Sequence, residues 1–267
     1  GLFLCGGAIL ARIYPLFSSS KGNATFVGTP SAGVLIDAGV TYKRLNEGLL
    51  RCGLTVDAVK AVFVTHEHSD HVKGISVLTK AKKIPVYAQK ITLENLISQG
   101  IIHSEGFEIR GVVEICGMKI SAFETPHDTE QSCGYQIITL DNRKCAVCTD
   151  LGHVTATVDE NLCGCDLVLL EANYDEKMLR NGCYPEYLKS RISSQNGHLS
   201  NNDCANYVKK LIEKGTTRVI LGHLSQENNS PKAAENAVFL KLSQYVRNID
   251  YILQVAPVET SGECVAF

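Results

Sequence analysis

The sequence predicts an α/β fold. Three observations carry the prediction. Short β-branched apolar runs alternate with helix-patterned segments along the chain. Several of those runs end directly in an ionisable residue, the place where open α/β sheets put their chemistry. No repeat, low-complexity tract or linker interrupts the 267 residues, so one domain over 1–267 is the economical organisation.

The elements follow in order. "ARIYPLF" reads as a first strand, with about ten residues before it as a short extension. That extension, "GLFLCGGAIL", lacks the basic start and the apolar length of a lipoprotein signal. "GVLIDAG" (Gly33–Gly39) is a strand ending in an acid and a glycine, and "TYKRLNEGLLRCG" has helical spacing with a glycine stop. "AVKAVFVTH" is a strand, and the segment from there to Lys80 reads as helix. "IPVYA" is a short strand, followed by a helix "ITLENLISQG" that Gly100 stops. His103 reads as a surface residue in the loop after it. "VVEICGMKISAFET" precedes a hairpin, "CGYQIITLDNRKCAVCTD", that turns at Asp141–Asn142. "CDLVLLEAN" is a buried strand, and "SNNDCANYVKKLIEKG" a helix with a Ser200–Asp203 capping box and Gly215 past its end. "TRVILGHL", "SPKAAENAVFLKLSQYV" and "IDYILQVA" close the chain as strand, helix and strand.

Composition narrows the function. Net charge is −2, so a polyanion would have to meet a local basic patch rather than the whole surface. No run of eighteen apolar residues predicts a membrane-spanning helix. Eleven cysteines, an odd number scattered through a chain with ample core, predict reduced thiols and a cytoplasmic location. Cys145 and Cys148 are three apart in a predicted strand, which turns them to opposite faces and argues against a shared metal. Cys163 and Cys165 have no second pair to complete a metal site.

The densest chemistry is "FVTHEHSDHVKG", Phe63–Gly74. His66, His68, Asp70 and His71 follow a buried strand, in the loop before a helix. Imidazole and carboxylate donors suit zinc, manganese or iron(II). Four donors in six residues exceed what one tetrahedral ion takes from a single loop, which suggests two adjacent metals. More candidates stand at other strand ends: Asp37 after "GVLI", His127 after "SAFETP", Asp150 after "KCAVCT" and His223 after "TRVILG".

This ordered set resembles the metallo-β-lactamase superfamily over nearly the whole chain. The resemblance implies a four-layer αββα sandwich with a two-metal site at one edge of its paired sheets. It implies that His66, His68 and His127 hold one ion, that Asp70, His71 and His223 hold the other, and that Asp150 bridges them. Asp37 would support the ligand loop and fix its tautomers. Paired ions lower the pKa of bound water to about 7 and brace both oxygens of a displacement. The all-N/O donor set leaves zinc and manganese both open, with iron possible by donor type.

Two further residues narrow the reaction. Glu171 ends the strand of "LVLLEANYD", and His198 precedes a helix in "SSQNGHLSNND". An acid and a histidine so placed resemble the nuclease branch of the superfamily, where such a pair assists proton transfer to the leaving oxygen. A phosphodiester leaving group needs a general acid, and a carboxylate keeps a histidine protonated. The amides starting the next helix would suit a phosphate. The alternatives are that Glu171 is a structural ion-pair partner and His198 a helix cap.

Spacing divides that branch further. Seventy-two residues between Asp150 and His223 are too few for a β-CASP insertion, and twenty-two between His127 and Asp150 hold no long arm of the transfer-RNA-processing kind. The stretches "LFSSSKGNATFVG", "TDLGHV", "EANYDEKMLRNGCYPEYLKSRISSQNGHLSN" and "LGHLSQENNSPKAA" resemble a compact bacterial exonuclease family encoded beside the essential cell-wall two-component system. That implies 5′-to-3′ degradation of double-stranded DNA. Two departures from the family pattern lie near the mouth: no proline precedes Gly134–Tyr135 in "HDTEQSCGY", and His153 stands in place of an aromatic residue.

DNA contacts are sought in two basic groups. The first is Lys73, Lys80, Lys82 and Lys83; the better placed is Lys177, Arg180, Lys189 and Arg191, between Glu171 and His198. "SSSKGN" reads as a tight loop at the site's edge, with Gly22 at its turn and no catalytic part. Two other functions fit the same residues: a small-molecule hydrolase acting on a thioester, lactone or cyclic phosphate, and a metal-binding regulatory partner without activity.

Overall fold

The computed structural model describes residues 11–267. The N-terminal extension, and with it the rejected lipoprotein signal, lies outside them. The chain begins β1 (Arg12–Phe17), β2 (Ala24–Gly28), β3 (Gly33–Ile36), α1 (Tyr42–Arg51) and β4 (Val59–Phe63). It continues α2 (Ser69–Val72), α3 (Ile75–Lys82), β5 (Val86–Ala88), α4 (Lys90–Ser98) and β6 (Gly106–Glu108). The second half runs β7 (Val112–Ile115), β8 (Met118–Glu124), β9 (Cys133–Ile138), β10 (Lys144–Cys148), α5 (Ala156–Leu162) and β11 (Leu167–Glu171). It ends α6 (Glu176–Asn181), α7 (Glu186–Ile192), α8 (Asn201–Glu213), β12 (Arg218–Gly222), α9 (Pro231–Lys241), β13 (Ile252–Val255) and β14 (Val265–Ala266).

The strands form two seven-stranded sheets, β14-β1-β2-β3-β4-β5-β6 and β13-β12-β11-β10-β9-β8-β7. Alternation along each strand feeds two cores at once. Ile36 and Phe63 of the first sheet meet Tyr135, Val147, Leu169 and Ile220 of the second in the core between the sheets. Leu35 and Val62 face the other way, under Leu45 and Leu49 of α1 and Leu78 of α3. Val168 and Leu170 likewise pack under Val158 of α5, Val208 and Leu211 of α8 and Val238 of α9. Each such side chain contributes about 1.5–3 kcal/mol when fully buried. The result is the αββα order of layers. β3, β4 and β5 are parallel, as are β10 to β13, so their C-terminal ends gather at common edges.

The structure departs from the sequence expectations in several places. The helix expected up to Lys80 is two pieces, broken where Gly74 passes under α1's approach: a Cβ there would lie 2.3 Å from the Val40 carbonyl oxygen. "VVEICGMKISAFET" is itself a hairpin, with Cys116 and Gly117 both at positive φ in a two-residue turn. α9 ends at Lys241, short of the Val246 expected. β6 and β14, of three and two residues, are too short to show a period, and α5 to α7 are each only six or seven residues long. Cys145 and Cys148 do face apart, the first into the core between the sheets and the second under the helices. The described cysteines are all free. Burial pushes the Cys133 and Cys165 thiols up to about 12, which makes them poor nucleophiles and poor ligands.

Candidate active site

The site is assembled at the strand ends of both sheets. The first sheet supplies Asp37 after β3 and the His66–His71 loop after β4. The second supplies His127 after β8, Asp150 after β10, Glu171 as the last residue of β11, and His223 after β12. Asp37, Asp150 and His223 all adopt left-handed backbone, with φ of 61°, 56° and 55°. None is glycine, and such conformations cost about 1–3 kcal/mol each and persist where the surroundings over-determine them. Here they turn the chain sharply at each strand end and bring the three side chains into one cluster. Gly39 admits the ligand loop against the same corner: a Cβ there would lie 1.6 Å from the Asp70 carbonyl oxygen.

The seven predicted donors come together. Donor atoms of His66, His68 and His127 lie within 4.8 Å of one another, as do those of Asp70, His71 and His223, and those of His66, His71 and Asp150. Asp150 sits between the groups: Oδ2 is 3.2 Å from His71 Nε2, while Oδ1 is 3.5 Å from His127 Nε2 and 3.3 Å from His223 Nδ1. Partners behind the donors fix their tautomers. His71 Nδ1 donates to Asp37 Oδ2 at 2.8 Å, and the Asp37 carboxylate also accepts from the Thr65 amide and hydroxyl. His127 Nδ1 donates to the Gly197 carbonyl.

These donors fit cations. Asp150 Oδ2 and His223 Nε2 are buried without a hydrogen-bond partner, and such atoms are rare unless something satisfies them. With Nδ1 of His71 committed to Asp37, its Nε2 lone pair faces the Asp150 oxygen. Only a proton or a metal can stand there. Burial pushes the His71 pKa down, but Asp150 and Asp37 outweigh it and hold it well above the usual range. Burial drives Asp150 the other way, upward, and His223 and His71 override it, leaving the carboxylate well below its usual range. Burial, helped by His71, keeps His66 well below its ordinary value, in the neutral form that ligates.

Glu171 and His198 are adjacent, as the sequence suggested, but Glu171 does more than pair with His198. It is fully buried and reaches no solvent. Oε1 accepts from His198 Nδ1 at 2.8 Å and from His223 Nδ1 at 3.0 Å, and Oε2 accepts from the Leu151 and Leu199 amides. Its contacts are to His198, His223 and two backbone amides, so its part in a Glu171–His198 pair is to position the histidine. His198 is partly exposed, with Nε2 left free. Burial lowers its pKa, but Glu171 and then Asp150 raise it to about 9.

Other expectations need correction. The start of α8 has two of its first amides already taken, since Ser200 caps the Asp203 amide and the Asn201 amide donates to the Tyr174 carbonyl. "SSSKGN" is more than an edge loop: Ser18 Oγ accepts from the His223 amide, and the Asn23 amide reaches Asp70 Oδ2 and His71 Nε2. Asp128 was missed altogether. Its Oδ1 is 3.1 Å from His127 Nε2, and its Oδ2 holds Arg191 at 2.5 Å. Its place directly after a strand-end histidine was the available signal. Of the basic residues, Arg191 thus lies at the donor cluster and is well exposed. Lys177 and Arg180 are exposed on α6. Lys189 is not a free cation, since its Nζ bonds Glu186 and the Arg180 carbonyl. In the other group, Lys82 is held by Asp57.

A model of the beta-lactamase superfamily domain matches residues 33–224. The chain is 35% identical to exodeoxyribonuclease YycJ of Bacillus anthracis, over 84% of this chain and 86% of the relative. It is 32% identical to exodeoxyribonuclease WalJ of Streptococcus pneumoniae, over 86% and 87%. Among solved structures, the metallo-beta-lactamase fold protein YhfI from Bacillus subtilis superposes with a TM-score of 0.72 at 15% identity, covering 94% of this chain and 98% of that one. The chain belongs to the beta-lactamase superfamily, in the same family as the YycJ and WalJ proteins.

Proposed function

We propose that this protein is a two-metal-dependent nuclease acting on double-stranded DNA from its 5′ end. The carrying observation is the His198–Glu171 pair: an imidazole oriented by a buried carboxylate, beside a cluster of seven candidate metal donors. A thioester hydrolase expels a thiolate that leaves without a proton, whereas a phosphodiester's leaving alkoxide oxygen gains from a positioned proton donor. The relatives named as exodeoxyribonucleases support the same class.

The superfamily fold implies a two-metal centre. His66, His68 and His127 would hold one ion, Asp70, His71 and His223 the other, with Asp150 between them. The ions, zinc or manganese, supply a nucleophile at neutral pH and offset charge on the phosphoryl oxygens when bound. The chain's own residues do the rest. Glu171 keeps Nδ1 of His198 protonated and Nε2 turned outward. His198 gives its Nε2 proton to the departing oxygen. Arg191, whose Nε and Nη2 are held by Asp128, keeps its remaining N–H donors for a neighbouring phosphate, with Lys177 and Arg180 further along the strand.

The test is an end-labelled duplex incubated with purified protein and added zinc or manganese. The expected result is a metal-dependent release of mononucleotides from the 5′ end. Two bound ions per chain with no cleavage under either metal would overturn the reading in favour of a small-molecule hydrolase.

A further inference from the structure

His198 has a second neighbour. Besides the donor cluster, it lines a cavity of about 400 Å³. Leu199, Tyr174 and Tyr207 are buried residues of that cavity and give it an apolar, aromatic floor. Exposed Asn206 and Gln195 bring side-chain amides to its rim. The wall opposite α8 is pinned, because His153 Nδ1 donates to the Gln195 carbonyl at 2.9 Å. A Gly152 Cβ would lie 2.0 Å from that same carbonyl, so the two loops are locked together.

We infer that this cavity receives the single nucleotide released in each cleavage, an inference that rests on the nuclease reading above. In an in-line displacement the attacking and leaving oxygens stand on opposite sides of phosphorus. The leaving oxygen takes its proton from His198, so the nucleotide carrying that oxygen lies on the His198 side, where the cavity opens. The volume is at the small end of the roughly 300–1,000 Å³ of small-molecule sites. It suits one nucleoside and excludes a paired duplex end. Aromatic and apolar surface suits a base face, and side-chain amides suit base edges without demanding one sequence.

The bond changes are those of hydrolysis. Water's oxygen bonds to phosphorus, and the bond from phosphorus to the 3′-oxygen breaks with its electron pair. The 3′-oxygen takes the proton of His198 Nε2, and the proton shed by water restores His198 through solvent. The remaining strand keeps a 5′-phosphate, and the released nucleotide a 3′-hydroxyl. A pocket for one nucleotide behind the proton donor makes the cut fall one residue from the end, which is an exonuclease's product pattern.

The experiment titrates 2′-deoxyadenosine 5′-monophosphate into the metal-loaded full chain by calorimetry, alongside duplex cleavage. Asn206→Trp and Gln195→Trp fill the cavity from two separate elements, and their unfolding midpoints report whether each is folded. The expected result is a Kd raised at least about tenfold in each folded variant. Wild-type cleavage of DNA with no mononucleotide binding, or binding unchanged in both variants, overturns the cavity assignment. Mononucleotide binding that both variants lose, with no DNA cleavage by wild type, keeps the cavity and rejects the nuclease reading.

Discussion

Glu171 Oε1 accepts a hydrogen bond from His223 Nδ1 at 3.0 Å, so the residue that orients His198, the proposed proton donor, also orients His223, a proposed metal ligand. The two functions share one oxygen. Replacing Glu171 with Gln is therefore expected to damage both. Affinity for the metal on the His223 side should fall about 10–100-fold, the usual cost of removing a partner behind a ligand. Turnover should fall by about 10²-fold or more even at saturating metal. Metal analysis against free-ion concentration, paired with kcat, separates the two losses.

His198→Ala removes the donor and leaves the ligands alone. Turnover on duplex DNA should drop about 10²–10⁴-fold, while metal content stays at two ions per chain. Unchanged kcat would refute the proton-transfer role.

Arg191 and Lys189 sit two residues apart on α7 but should behave differently. Arg191→Ala is expected to raise KM for DNA with little change in kcat, and to reduce the slope of log affinity against log salt by about one. Lys189→Ala should leave that slope unchanged, since its ammonium already bonds Glu186 and the Arg180 carbonyl. Binding titrations across a salt series read both.

One surface contact should show in the pH dependence of stability. Arg44 and Arg51 both hold Glu259, and those hydrogen bonds lower its pKa below the usual carboxylate value. A depressed folded pKa means stability that is present above the unfolded pKa and is lost as pH falls through the folded one. Glu259→Gln should cost about 0.2–1 kcal/mol at pH 7, as exposed pairs do. Its deficit should shrink toward zero as pH drops below about 4. Urea melts at pH 7 and pH 3 measure the difference.

The donor set could be read in the sequence because its members stand after apolar strands, four of them crowded into the segment after β4, and strand ends of an α/β fold converge. The same logic found Glu171, while His198 was found by its place before a helix. It could not show that Glu171 also holds His223, because 52 residues separate them and their meeting depends on β11 pairing with β12. Asn23 and Ser18 were invisible for a similar reason: a short polar loop gives no periodicity, and its contacts to Asp70 and His223 cross from one part of the chain to another. Helices α5 to α7 escaped because two turns are too few to establish a spacing. Lys189 looked available because a sequence shows charge but not which carbonyl an ammonium has already taken.

The donors are divided between the two halves of the chain: His66, His68, Asp70 and His71 hang from the first sheet, and His127, Asp150 and His223 from the second. Any ion held jointly by His66 and His127, or by His71 and His223, is a clasp across the open rim of the sandwich. Its binding energy then belongs to folding as much as to chemistry, because the unfolded chain offers no such site. Without the ions the seam is left to the His–carboxylate pairs alone, Asp150 with His71 and with His223 among them. Whatever controls the supply of metal therefore also sets how firmly the two halves are held together.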